Sequence, residues 1–182
     1  MNNDEAYDEL LHRSNGAMIV VTAHDGKHRA GCLVGFHSQA GIEPRRHAVW
    51  LSKANMTFRV ALHSSHLAVH FLGADDKELA RRFGEVSGDE RDKFDGLDWA
   101  PGPGGAPVLA ALPDRFVGHR VAMFDAAGDH ACFILAPEQA ELSADAPEAE
   151  TRPLRVAQLD DLVPGHEVEE RPVPADVNDP SG

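Results

Sequence analysis

Along the first third of the chain, apolar and polar positions alternate in short blocks. Residues 4–13 (DEAYDELLHR) set Leu10 and Leu11 beside acidic neighbours, predicting a short amphipathic helix. Residues 16–36 (GAMIVVTAHDGKHRAGCLVGF) hold two β-rich apolar runs around Asp25-Gly26, a hairpin signal. Gly31, Gly35 and Gly41 punctuate the second run and its continuation, where glycine marks a bulge or a close backbone approach. HAVWLS (47–52) predicts another strand. In residues 55–65 (NMTFRVALHSS), Asn55 is a candidate N-cap, and Phe58, Val60, Ala61 and Leu62 supply one apolar surface, predicting a helix. Residues 66–72 (HLAVHFL) alternate as a strand, with Leu67, Val69 and Phe71 on one face and His66, Ala68 and His70 on the other. Residues 75–86 (DDKELARRFGEV) predict a further helix with an aspartate start. A long turn-rich connection spans 88–112, and its Pro/Gly cluster at 101–107 predicts irregular structure. Two strands close the pattern, 115–125 and 130–142, joined by AAGD.

Frequent short strands separated by Gly/Pro turns predict a mainly β fold, a closed or nearly closed antiparallel barrel of about six strands with two or three peripheral helices. Residues 1–142 form the predicted domain, and 143–182 an acidic, Pro-containing C-terminal extension. Within it RPLRVA (152–157) is a candidate short strand, and the composition beyond Pro172 is that of a disordered segment. Charge sharpens this division. From Glu141 onward there are eleven acidic residues and three arginines, a balance of −8, which leaves −5 of the formal −13 for the preceding 140 residues. That sign argues against general nucleic-acid binding. The N-terminus is acidic and polar, unlike a signal peptide, and no apolar run approaches the roughly 18–20 residues of a membrane helix, so a soluble, cytoplasmic protein without membrane association is expected. Cys32 and Cys132 are too few and too far apart for a disulfide framework or zinc knuckle and read as buried thiols.

Three stretches carry candidate chemistry. In LSKANMT (51–57) a strand gives way to a helix start, where unpartnered amides favour an anion. Ser52, Lys53, Asn55 and Thr57 there offer the donors a phosphate needs. The glycine-punctuated stretch AGCLVGFHSQAG (30–41) lets backbone amides approach the polar edge of a flat heterocycle. In GDH (128–130) the turn accounts for Gly128 and Asp129, but not for His130, whose imidazole can donate a hydrogen bond or pack on a ring. Eleven histidines raise a metal reading. His66 and His70, on one strand face, would stand some 13 Å apart at about 3.3 Å per residue, too far for one ion. No carboxylate or cysteine completes a ligand set, so no metal is expected. GxGxxG, Walker A and GxSxG patterns are missing from the sequence.

In this order, the blocks GAMIVVTAHDGKHRAGCLVGF, SKANMTFRVA, LAVHFL, LARRFGEVSGDERDKFDGLDW, GGAPVL and GDHACFILAPEQAEL resemble the flavin reductase-like family, whose members have an FMN-binding split barrel. The resemblance covers about residues 6–142. It implies a six-stranded antiparallel Greek-key split barrel, a homodimer with flavin at the subunit interface, and NAD(P)H-dependent reduction of FMN, often in the service of a partner monooxygenase. By position it implies that Ser52, Lys53, Asn55 and Thr57 meet the phosphate. Val34, Gly35, Phe36, His37 and Ser38 would line the isoalloxazine, and Lys93 would reach the flavin tail. His130, the candidate catalytic residue, would sit beside the ring where reduced nicotinamide stacks. Two departures stand out. A Thr/Asn/Ser-rich stretch is replaced by CLVGFHSQAG, and Pro44 is followed by Arg45 where a second proline is usual. Relatives of this barrel also take FAD, deazaflavin or haem, and non-catalytic binding of such a group is the alternative reading.

Overall fold

A computed structural model describes residues 2–89, 91–143, 152–159 and 161–162. Helix α1 (Asn3–Ser14) is followed by strands β1 (Ile19–His24), β2 (Arg29–Val34), β3 (His37–Ile42) and β4 (Arg45–Ser52). Helix α2 (Met56–Ala61), strand β5 (His66–Phe71) and helix α3 (Lys77–Glu85) come next. After them lie the short strands β6 (Trp99–Pro101) and β7 (Pro107–Leu109), then the long strands β8 (Arg115–Asp125) and β9 (His130–Glu141).

Seven strands form one antiparallel sheet in the order β2-β1-β5-β8-β9-β4-β3, and β6 and β7 form a separate two-stranded ribbon. The fold is mainly β, as expected, with seven strands in the principal sheet where six were read. The extra strand is β3. The run 30–41 is broken at Gly35-Phe36, and there the chain changes partner: β2 pairs with β1, whereas β3 pairs with β4. Because β2 and β3 occupy the two edges, this link joins the sheet's ends, and Trp50 N–H donates to Phe36 O at 2.9 Å across the seam.

Alternation then sorts side chains. Inside the barrel lie Ile19, Val21, Cys32, Val49, Leu51, Leu67, Val69, Phe133 and Leu135, joined by Phe58, Val60 and Ala61 from α2. The outer face of β1 is buried too. Val20 and the preceding Met18 pack with Phe83 of α3, Phe94, Leu109 of the ribbon and Leu154. This covering explains why every residue of β1 except His24 is buried. Gly31 is required by the approach of α3, since a Cβ there would lie 2.7 Å from a Phe83 ring atom.

The Pro/Gly cluster at 101–107 is more regular than expected. Pro103–Gly105 form a single 3-10 turn that reverses β6 into β7, and Gly104 at φ +61° lies so close to His66 that a Cβ would meet its ring at 2.2 Å. Residues 152–156 pack against the body. Met18 N–H donates to Leu154 O and Leu154 N–H to Leu72 O, both at 2.8 Å, and Val156 N–H donates to Gly16 O at 3.1 Å. The composition-based reading of the chain beyond Pro172 lies outside the described residues. Among the described residues no helix is long and apolar enough to cross a membrane. Cys32 and Cys132 are both free and buried.

Candidate active site

The turn from β4 into α2 separates two clusters. On one side is a small, shallow cleft with room for about 20 Å³, lined by Arg29, Asn55, Thr57, Arg91, Asp92 and Lys93 among others. Helix α2 has only six residues, and the Asn55 side chain makes no capping bond, although Asn55 N–H does donate to Ser52 O at 3.0 Å. A macrodipole this short is weak, so the positive potential of the cleft comes from its side chains.

Arg29 extends from the start of β2, with its guanidinium 4.9 Å from the Trp99 ring centroid and 5.4 Å from that of Phe94, while Nη2 donates to Asp92 at 2.6 Å. Its Nε is buried with no hydrogen-bond partner. A buried donor without an acceptor is costly and marks a place for an incoming one. Lys93 is buried and donates from Nζ to Phe83 O at 2.8 Å. Burial lowers its pKa, with Cys32 and Asp89 acting against that shift. Behind the cleft, the Cys32 thiol is pushed up by burial and drawn the other way by Lys93 and by a hydrogen bond with Thr57.

On the other side of the turn, Ser52 faces His130 in the β4–β9 register. The His130 ring lies 5.2 Å from that of Phe36, tilted by 55°, and its Nδ1 is 2.9 Å from Asp129 Oδ1. That hydrogen bond is the main cause holding the Asp129 carboxyl below its ordinary range. Phe36 is 57% exposed. Lys53 is buried and pairs with Asp125 at 2.7 Å.

The residues singled out by sequence therefore divide. Asn55, Thr57 and Lys93 share the cleft, whereas Phe36 and His130 form a ring wall with Ser52 beside them. Lys53 is turned to Asp125 and does not line the cleft. Val34 packs in the barrel core, so only its backbone is available outside. Ser38 is exposed on β3, and Gly35 lies against Met18. His37 is held away from the wall by Ala17 O at 3.0 Å and by His47, whose ring stacks on it at 5.4 Å. Sequence reasoning passed over Arg29, Arg91 and Asp125. Nothing local marks Arg29, and its partners Asp92 and Trp99 lie more than sixty positions away. Among the described residues no group of three or more His, Cys, Asp or Glu is placed to hold a metal.

A small antiparallel barrel thus carries a cleft lined by cations at a strand-to-helix turn and, across that turn, the ring pair of Phe36 and His130. The chain belongs to the family described as "Flavin reductase like domain", whose sequence model matches residues 11–158. It is 28% identical over 133 residues to the FMN reductase (NADH) SmoA of Agrobacterium fabrum, covering 72% of this chain and 73% of that one. It is 28% identical over 143 residues to a flavin-dependent monooxygenase reductase subunit, HsaB, of Mycobacterium tuberculosis, covering 76% and 70%. Among solved structures, a flavin reductase domain protein from an Arthrobacter species superposes with a TM-score of 0.69 at 19% identity, over 79% of this chain and 87% of that chain. These likenesses place the fold among flavin reductase split barrels.

Proposed function

We propose that the protein is an NAD(P)H-dependent flavin reductase that takes FMN, with its phosphate in the cleft of Arg29, Asn55, Thr57, Arg91 and Lys93 and its ring toward Phe36 and His130. The observation that carries this reading is the cleft itself. It combines three cations and two short polar side chains around one carboxylate, Asp92, and one of the cations, Arg29, keeps a buried Nε without an acceptor although its Nη2 is taken up by Asp92. Charge-assisted bonds to phosphate are about twice as strong as neutral ones, which suits this donor set. The residues present thus fit a flavin phosphate. Bound flavin supplies the hydride acceptor, and the chain's task is to hold the rings face to face and keep water out. With His130 Nδ1–H donating to Asp129, Nε2 is the nitrogen free to face a nicotinamide or the ring edge. Backbone N–H groups around Gly35 and Phe36 take over the ring contacts that hydroxyls make in the usual family pattern.

The reading extends to assembly. Helix α3, the ribbon and Leu154 cover the outer side of β1, but the outer side of β4, β9 and β8 carries Trp50, Cys132, Ile134 and Phe124, with Phe124 61% exposed. A second copy on this face completes the ring site and makes a homodimer. Two of the similar proteins are named as monooxygenase or demethylase reductase subunits, and delivery of reduced flavin to a partner monooxygenase is the role proposed here.

The test is stopped-flow mixing of protein and FMN with NADH or NADPH in the absence of oxygen. Loss of visible flavin absorbance with one nicotinamide, saturable in its concentration, is expected. Unchanged absorbance with both overturns the proposal and leaves a non-catalytic flavin carrier.

A further inference from the structure

Position in the family pattern assigns Lys53 to the phosphate, yet its surroundings assign it to the β8–β9 turn. Lys53 leaves β4 directly after Ser52, the register partner of His130. Its backbone N–H donates to Asp129 O at 2.9 Å, and its Nζ donates to Asp125 Oδ1 at 2.7 Å. The lysine side chain is only 4% exposed. Asp125 ends β8, and the same Oδ1 accepts the Ala127 N–H at 2.9 Å. Ala127 has φ +62°, a left-handed conformation disfavoured for a non-glycine residue, so the turn needs such a bond. Asp129, whose carbonyl Lys53 holds, in turn receives His130 Nδ1–H. One residue thus ties down both ends of the turn that aims His130. Its charge is met by Asp125 and is withheld from the cleft, which neither Ser52 nor Lys53 lines.

We propose that Lys53 is a positioning residue for His130, a buried cation clamping the β8–β9 turn, and not a phosphate ligand; its catalytic consequence rests on the flavin reductase reading. The charged groups facing this turn are Asp125 from β8, Asp129 beside His130 and Lys53 from β4. Phe36 and Ser52, packed on the other sides of His130, carry no charge.

Four variants test the clamp. Lys53→Met and Asp125→Asn should each slow the limiting rate of flavin reduction at saturating NADH on the order of 10- to 100-fold, the effect of misplacing a reacting partner by about an ångström. Lys53→Arg should recover part of that loss. The ratio of FMN to riboflavin affinity should stay unchanged in Lys53→Met and Asp125→Asn, while Arg29→Ala, in the cleft, lowers it. A second readout needs no flavin: the titration midpoint of the His130 imidazole followed by NMR. Lys53→Met leaves the Asp125 carboxylate uncompensated and should raise the midpoint. Asp125→Asn leaves the cation unpaired and should lower it. Opposite signs are not produced by a general loss of structure, and either variant alone supports the test if the other does not fold. A His130 midpoint unmoved in both variants, or an FMN to riboflavin ratio that collapses in Lys53→Met, overturns the clamp. A wild-type protein that reduces no flavin would instead defeat the function proposed above, with the NMR shifts still deciding the role of Lys53.

Discussion

Four histidines show how a residue type spread along a sequence acquires distinct roles from its surroundings. His130 is tethered by a carboxylate at the site, and His37 and His47 stack on one another. His70 is fully buried, with Nδ1 donating to Val20 O at 3.2 Å and Nε2 accepting Leu109 N–H at 3.1 Å. That pair of bonds fixes a neutral tautomer, because a proton on Nε2 would face another N–H. Burial accordingly lowers its pKa from 6.5 to about 4, with the Val20 bond opposing the shift. His47 is also lowered to about 4, by burial and then by His37. The sign follows from linkage. The unfolded chain takes up protons near pH 6.5 while the folded chain does not, so stability is full above that pH and drains away as the pH falls toward 4. For His70 alone the loss amounts to about 3 kcal/mol. Urea midpoints measured from pH 7.5 to pH 4 should fall steadily through that window. In His70→Leu the curve should start lower, because two backbone groups lose a partner, but slope less. A parallel curve in the variant would assign the acid sensitivity elsewhere. Carboxylates act in a different range: Asp25, raised by burial but brought down further by His28 and Lys27 N–H bonds, sits at about 2 and yields its stability only below 3.8.

At the scale of elements, the segment 152–156 acts as a clip. Its backbone bonds to both Met18, at the entry to β1, and Leu72, at the exit of β5, and Leu154 is fully buried among Met18, Val20, Phe83 and Leu109. Leu154→Ala should therefore cost about 2–5 kcal/mol, the range for truncating a leucine in a rigid core. Leu10→Ala on α1, which buries no residue, should cost close to nothing. Equilibrium denaturation of the two variants separates a structural clip from a loosely lying tail, and equal stability for both would remove the clip. The sequence marked 152–157 as a candidate short strand; the fold makes of it two isolated bridges, at Pro153 and Arg155, followed by a 3-10 turn at Val156–Gln158. Strands β1, β2, β4, β5, β8 and β9 were legible because apolar runs, alternation and turn residues mark them locally. β3 was not, since Gly35-Phe36 breaks an apparently continuous run by a change of partner, and pairing is nonlocal. The ribbon was hidden for a different reason: three-residue strands containing proline carry no periodicity. The predicted helix at 55–65 shrank to six residues because its apolar positions plug the barrel end, where the chain must turn into β5. The candidate site was half legible in the same way. Asn55, Thr57, Phe36 and His130 lie close to turns that mark themselves. Arg29 and Asp125 take their meaning from partners brought in by the fold.

For the whole molecule, the two outer sides of the barrel differ. Around β1 and β5, helix α3, the ribbon and Leu154 form a second apolar layer, and Ala68, Ala106 and Val117 add a smaller one. Over β4, β9 and the C-terminal end of β8 no such layer is found among the described residues, although Trp50, Ile134 and Phe124 stand there and Phe36 rises at the seam. A sheet carrying large apolar side chains on an uncovered face invites a partner. A second copy matched by two-fold symmetry presents the same face to itself. The same contact would shield the wall of Phe36 and His130 from water, so assembly and flavin binding are expected to be coupled. Phe124→Asp places a charge in the middle of that face without touching the cleft. Sedimentation velocity should show the wild type as a dimer and the variant as a monomer at micromolar concentration. Its FMN affinity should fall on the order of tenfold, since a shared site loses its second wall and about 1.4 kcal/mol of binding corresponds to that factor. A variant that remains dimeric, or a monomer that binds FMN as tightly as the wild type, would place the flavin ring on a single subunit and uncouple the bare face from the reaction.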